Sequence, residues 1–244
     1  MKPFLLLATR AEDVAADGEY RAMLRYGRLT PEQLHRVRLE AAPLPDIDLD
    51  DYSGIIVGGG PFNSSDPEHS KSEVQKRVER EFVTLLDDVV ERDFPFLGAC
   101  YGVGTLGVYA GGIIDRTYPE PVGPLTIELT EDGLADPLLA GLPRRFTAYG
   151  GHKEAVRELP PEAALLATSE ASPVQMFRLR SNLYATQFHP ELDVDGLVER
   201  VDVYKTYGYF APEEASVVKA RARAVRVTEP MRIVRRFVER YARP

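Results

Sequence analysis

The stretch Phe94-Pro-Phe-Leu-Gly-Ala-Cys-Tyr-Gly-Val-Gly104 constrains this chain more than any other. Residues 94–97 are mostly apolar and read as a short buried strand, and residues 101–110 read as the helix that follows. Gly98 and Gly102 flank the only cysteine, Cys100, at minus two and plus two. A sharp strand-to-helix turn needs small neighbours of this kind, and it lifts its central residue clear of the sheet. The helix then points its N-terminus at the sulfur, a dipole that favours the thiolate over the thiol. Two readings stay open at this point: an activated nucleophile, or a buried structural cysteine, the commonest state of a lone thiol.

Around that turn, short apolar runs alternate with helical patterns, which predicts βαβ units and a mainly parallel sheet. Strands are expected at 3–8, 36–39 and Gly54–Val57, and helices at 11–26 and 71–92. In the second helix Val74, Val78, Phe82, Leu85, Leu86 and Val89 recur at helical spacing. From about residue 113 to 186 the pattern becomes alternating and turn-rich. Segments 125–129, 145–149, 164–168, 174–177 and Leu183–Thr186 suit strands of a mixed or antiparallel section. Helical patterns at 194–207, 212–225 and 230–241 close the chain. The expected fold class is therefore α/β: a mainly parallel central sheet flanked by helices, with an additional mixed or antiparallel strand section. One domain spanning residues 1–244 is long enough for a substantial core.

Composition excludes more than it assigns. A net charge of −8 argues against nucleic acid as a partner. Arginine far outnumbers lysine, and the Arg-rich segment 221–226 reads as a solvated helix face. One cysteine rules out an internal disulfide framework and a cysteine-rich zinc site, and fits the reducing cytoplasm. The four histidines offer no metal-ligand spacing, so no metal is expected. Residues 4–8 are too short for the apolar core of a signal peptide, and no apolar run approaches a membrane span.

Cysteine chemistry needs a base and a group that orients the base. His35 lies in a charged strand-like stretch and His69 in a polar loop, and both read as surface residues. His189 ends the β-like run Leu183-Tyr-Ala-Thr-Gln-Phe-His-Pro-Glu191. At the carboxyl end of a strand it falls on the rim where open α/β sheets bind ligands. Pro190 stiffens the turn, and Glu191 can return its carboxylate to the imidazole to fix the tautomer. At the same rim, Gly54-Ile-Ile-Val-Gly-Gly-Gly-Pro61 ends a strand in bare backbone N–H groups. They suit a phosphate cradle, an oxyanion hole or simply a tight turn. No Gly-Lys-Ser/Thr follows as a phosphate-binding loop requires, and no G-x-G-x-x-G opens a helix. An oxyanion hole, completed by the Tyr101 N–H, fits better, and no cofactor is expected.

Together these segments resemble the class I, or triad, glutamine amidotransferases, and above all free-standing domains similar to the amidotransferase half of GMP synthetase. Four landmarks in family order carry the resemblance: Gly-Gly-Pro at 59–61, Gly-Ala-Cys-Tyr-Gly at 98–102, Gly-His-Lys-Glu at 151–154 and Gln-Phe-His-Pro-Glu at 187–191. The resemblance implies a flavodoxin-like fold and a Cys100–His189–Glu191 triad. It implies an oxyanion hole at Gly60 or Gly59 with Tyr101, and substrate contacts from Phe62, Gly151, Lys153 and Glu154. It further implies L-glutamine as substrate, a γ-glutamyl thioester intermediate, and ammonia handed to a synthase. The residues after Glu191 are too few for a synthase domain, so that partner is expected on a separate polypeptide.

Two departures stand out. Gly104 occupies the position, four residues after the nucleophile, where the family usually carries glutamine. Lys153 stands where glycine is common, and His152 beside it reads either as a structural residue near the pocket or as a substrate contact. These changes keep open a γ-glutamyl hydrolase acting on another γ-glutamyl amide. A third reading, from a different class, is a non-catalytic regulatory subunit that keeps the fold.

Overall fold

A nine-stranded sheet organises the chain, and the computed structural model describes residues 1–244. The first part alternates strand and helix: β1 (Phe4–Ala8), α1 (Asp13–Gly27), β2 (Leu34–Arg38), β3 (Gly54–Val57), α2 (Glu73–Glu91), β4 (Phe96–Ala99) and α3 (Tyr101–Tyr109). A turn-rich section follows, with β5 (Ile113–Asp115), β6 (Glu120–Leu129), α4 (Glu131–Ala135) and β7 (Arg145–His152). It continues through β8 (Ala155–Glu158), β9 (Ala163–Thr168), β10 (Met176–Leu179) and β11 (Leu183–Thr186). Helices α5 (Val194–Tyr204), α6 (Ala215–Arg223) and α7 (Met231–Tyr241) end the chain.

Strand β1 shows why the sheet is buried on both faces. Its side chains alternate sides, as the pleat requires. Phe4 and Leu6 join one core with Met23 of α1 and Ile233 and Phe237 of α7. Leu5 and Leu7 join the other with Val78 and Phe82 of α2 and Leu106 of α3. Covered faces of this kind are the condition for a parallel sheet.

The strand order is β2-β1-β3-β4-β11-β10-β9-β6-β7. The first five strands pair in parallel, and the remaining pairs are antiparallel. This is the α/β architecture that the sequence predicts, with its antiparallel section. A separate β5–β8 ribbon and the short α4 were not expected, being brief and partly exposed. Strand β6 begins at Glu120 rather than at residue 125. Pro121, Gly123 and Pro124 look like strand breakers, yet a register shift between Glu120 and Gly123 absorbs them. No helix is long and apolar enough to cross a membrane.

What matters for the site is adjacency. The carboxyl ends of β3, β4 and β11 lie side by side, so residues 58–60, Cys100 and residues 187–191 share one rim. A bridge in which the His189 N–H donates to the Tyr149 carbonyl at 2.9 Å ties the antiparallel section to it.

Candidate active site

Cys100 is the hinge between β4 and α3, with φ 52° and ψ −91°. That left-handed backbone costs a non-glycine residue of order 1–3 kcal/mol. Two hydrogen bonds over-determine it: Cys100 N–H to Thr186 O at 2.7 Å, and Val103 N–H to Cys100 O at 2.9 Å. The turn is so tight that a Cβ on Gly98 would lie 2.9 Å from the backbone of Gly102. The elbow expected from the sequence is therefore formed. The expected thiolate is not the resting state, because burial pushes the Cys100 thiol up to about 12, with Arg10 opposing only in part.

His189 and Glu191 follow β11 directly. His189 Nδ1 lies 3.0 Å from Glu191 Oε1. Arg200 Nη1 lies 3.1 Å from the same nitrogen; with the Nδ1–H donated to Glu191, the lone pair sits on Nε2, which has no partner, and His189 lines the cleft it shares with Cys100. A Cβ on Gly59 would lie 2.5 Å from His189 Cε1 and 3.4 Å from Cys100 Cβ, so only glycine fits beside the two side chains. No hydrogen bond joins the sulfur to the imidazole. Burial lowers the His189 pKa against the pull of Glu191, and the ring rests neutral. Burial would raise the Glu191 carboxyl, but His189 and Arg200 more than offset it and hold it ionised.

Behind this pair lies a buried ionic network that the sequence reading missed. Arg200 Nη2 donates to Glu191 Oε1 at 2.8 Å and lies 3.5 Å from Glu19 Oε1. Arg10 Nε donates to the same Glu19 oxygen at 3.0 Å, and its Nη1 donates to the Tyr204 hydroxyl at 3.1 Å. Two guanidiniums thus balance two carboxylates out of water, which is the condition for holding such groups in a core. The sequence did carry a signal. Glu19 interrupts the buried stripe of Ala15, Ala16 and Met23 on α1. Arg200 interrupts that of Leu197, Val201 and Tyr204 on α5. A charge on the apolar face of a helix has to meet a partner inside.

The same network distinguishes the backbone N–H groups of Gly59 and Gly60. The Gly59 N–H donates to Glu19 Oε1 at 3.2 Å, so it is engaged and is not the donor the resemblance allowed. The N–H groups of Gly60 and of Tyr101, the first residue of α3, have no acceptor and lie at the cleft beside Cys100. Phe62 packs edge-on against Tyr101, with ring centroids 5.7 Å apart. Phe62, Gly151, Lys153 and Glu154 all line the same polar arm of the cleft. Gln187 joins them, its Oε1 buried without a partner. No group of metal-ligating side chains comes together anywhere.

The glutamine amidotransferase class-I family model matches residues 19–195. The chain belongs to this family. It is 31% identical over 151 residues to a glutamine-hydrolyzing GMP synthase subunit of Pyrococcus abyssi, covering 62% of this chain and 72% of that one. It is 29% identical over 172 residues to the corresponding subunit of Thermococcus kodakarensis, covering 70% and 82%. Against the glutamine-hydrolyzing GMP synthase of Aeropyrum pernix it is 27% identical over 175 residues, 69% of this chain, and spans only 31% of that protein. A glutamine amidotransferase from Thermotoga maritima has the same fold, with a TM-score of 0.73 at 19% identity over 98% of this chain and 99% of that one.

This amidotransferase fills the space near Gly104 in its own way. A Cβ at Gly104 would lie 2.4 Å from Ser64 Oγ and 3.1 Å from Glu154 Oε1, so no larger side chain fits without displacing them. The Glu154 carboxylate accepts the Ser64 N–H at 2.8 Å and the Ser65 N–H at 2.7 Å, which fixes the loop after Pro61. Burial raises the Glu154 carboxyl. Lys153 turns its ammonium out of the cleft, donating to Tyr207 O at 2.7 Å and lying 4.5 Å from the Tyr209 ring centroid. His152 has both ring nitrogens engaged, 2.8 Å from Glu154 O and 2.8 Å from Glu120 Oε2. Its environment is that of a structural residue.

Proposed function

We propose that Cys100, His189 and Glu191 hydrolyse the side-chain amide of L-glutamine through a γ-glutamyl thioester. His189 Nε2 takes the thiol proton as the sulfur attacks the amide carbonyl carbon. The Gly60 and Tyr101 N–H groups meet the developing oxyanion, where loss of one such donor typically costs about 2.7–4 kcal/mol. The C–N bond breaks, the imidazolium returns its proton to the nitrogen, and ammonia leaves. Water then cleaves the thioester, releasing glutamate and restoring the thiol. The observation that carries this reading is a cysteine strained at the elbow, sharing a cleft with a histidine whose Nδ1 is held by Glu191 and whose Nε2 has no partner.

The whole chain acts as one domain, and its ammonia goes to a synthase on a separate polypeptide. The relatives that are themselves GMP synthase subunits support that division. A single free thiol suits the cytoplasm. A second reading, hydrolysis of a γ-glutamyl amide other than glutamine, is favoured by the packing of Ser64 and Glu154 where the usual glutamine side chain has no room.

The test is mass spectrometry after incubation with a diazoketone analogue of glutamine, together with glutamate release by wild type and Cys100→Ala. A single adduct on Cys100, blocked by excess glutamine, and loss of release in the variant are expected. No adduct, while a general thiol reagent still labels Cys100, would sink glutamine as the substrate.

A further inference from the structure

The cleft at Cys100 has two arms, and glutamine hydrolysis needs only one. The polar arm holds the free N–H groups, Gln187 and Glu154. The other opens on the His189 side between Val122, Leu192, Leu197, Val201, Tyr204 and Phe210. Its enclosed volume is about 60 Å³, and it opens to solvent at its mouth. Tyr209 stands between the arms and lines both. The base that deprotonates a nucleophile returns the proton to the leaving nitrogen, so the leaving group lies on the histidine side. Ammonia is small and polar and gains nothing from an apolar wall. The two guanidiniums at the floor of this arm are each paired with a buried carboxylate, Arg10 with Glu19 and Arg200 with Glu191, which balances the charge they would otherwise offer an acidic leaving group. Leu197, Val201, Tyr204, Tyr209 and Phe210 all follow residue 195, where the family match ends.

We infer that the site accepts γ-glutamyl amides whose amide nitrogen carries an apolar substituent, with that substituent seated in the His189-side arm. The inference rests on the reading of Cys100 as nucleophile and names the substrate class. Cys100 Sγ bonds to the γ-glutamyl carbonyl carbon, the C–N bond breaks, and the His189 proton goes to the departing primary amine. Water cleaves the thioester, so amide plus water gives glutamate plus amine. A well-buried methylene changes discrimination by about tenfold or more in such pockets.

The test is steady-state glutamate release from glutamine and from γ-glutamyl methylamide, isobutylamide and phenethylamide, with γ-glutamyl-β-alanine as a charged control. The expected result is a kcat/KM that rises along the apolar series, about tenfold or more from glutamine to phenethylamide, with the β-alanine amide poorest among the substituted amides. Val201→Trp, which fills the arm, lowers the phenethylamide-to-glutamine ratio about tenfold, and phenethylamine inhibits wild type as a product. If glutamine is cleaved and the phenethylamide is slower, the inference falls and the glutaminase reading stands. If no amide is cleaved and the diazoketone leaves Cys100 unmodified, both fall together.

Discussion

Two buried histidine–carboxylate pairs lie at the ends of the two halves of the sheet, and they differ by one nitrogen. His152, ending β7, has Nδ1 2.8 Å from a carbonyl and Nε2 2.8 Å from Glu120. His189, following β11, has Nδ1 3.0 Å from Glu191 and 3.1 Å from Arg200 Nη1, and nothing on Nε2. A ring with both nitrogens engaged braces its neighbours, whereas one with a free nitrogen beside a thiol can move a proton. The carboxylates differ in the same sense. Glu120 collects His152, Ser169 and Gln175 into a closed cluster. Glu191 is backed by Arg200, which keeps it ionised and aimed at one imidazole nitrogen. A His–Glu pair alone therefore says little about chemistry; the unoccupied nitrogen says more.

The largest expected effect breaks the two pairs apart. His189→Ala lowers kcat by about 10³-fold, in the range of a lost general base, and leaves the melting temperature within a few degrees. His152→Ala does the reverse. It removes one of the three side chains that hydrogen-bond the buried Glu120 carboxylate, and leaving a buried acceptor short of a partner costs about 1–3 kcal/mol. Thermal melts then show a drop of roughly 2–12 °C, while kcat per folded molecule changes less than tenfold. Parallel melts and kinetics on the two variants check this, and a large kcat loss in a thermally unchanged His152 variant would overturn the division.

That division was partly legible in the sequence. The parallel half announces itself through short, wholly apolar strands, and Gly54–Val57 falls where its composition puts it. The elbow and the Gln-Phe-His-Pro-Glu segment were readable because each packs its chemistry into a few adjacent residues. The antiparallel half was harder, since prolines and glycines at 121–124 sit inside β6 rather than ending it. The Arg10–Glu19–Arg200 network was missed because its members lie far apart in sequence. Only a charge on a buried helical stripe marked them. Whether Gly59 or Gly60 offers a free N–H depended on Glu19, and so on packing that no local pattern reveals.

A pH profile sharpens the comparison with a smaller effect. On the proposed mechanism His189 must be neutral to take the thiol proton, and burial lowers its pKa below the ordinary value near 6.5. Activity therefore falls only as the pH drops below that value, where the imidazole becomes protonated. On the alkaline side, burial holds the thiol up to about 12, so kcat/KM stays flat from about pH 7 to about pH 10. Alkylation of the free enzyme by iodoacetamide should keep rising with pH over the same span. An acid limb centred above 6.5, or an alkylation rate that plateaus near neutrality, would point instead to a resting thiolate–imidazolium pair.

The smallest expected effect separates the two regions from the His152 side. Helix α3 passes the Glu154 carboxylate at Gly104, where an added methyl would lie 2.4 Å from Ser64 Oγ and 3.1 Å from Glu154 Oε1. Alanine for glycine in a helix gains about 1 kcal/mol, and overpacking a well-filled site costs about 1–3 kcal/mol. Gly104→Ala therefore lowers stability by about 1 kcal/mol, a shift of roughly 2–4 °C in the melting temperature. Because Glu154 orients the loop that lines the polar arm, KM for the amide rises, while kcat, which the proposed mechanism assigns to Cys100 and His189, holds within about twofold. A normal KM with a depressed kcat would mean that the packing of Ser64 and Glu154 reaches the nucleophile through α3. The brace around His152 and the base at His189 would then be one mechanical unit rather than two.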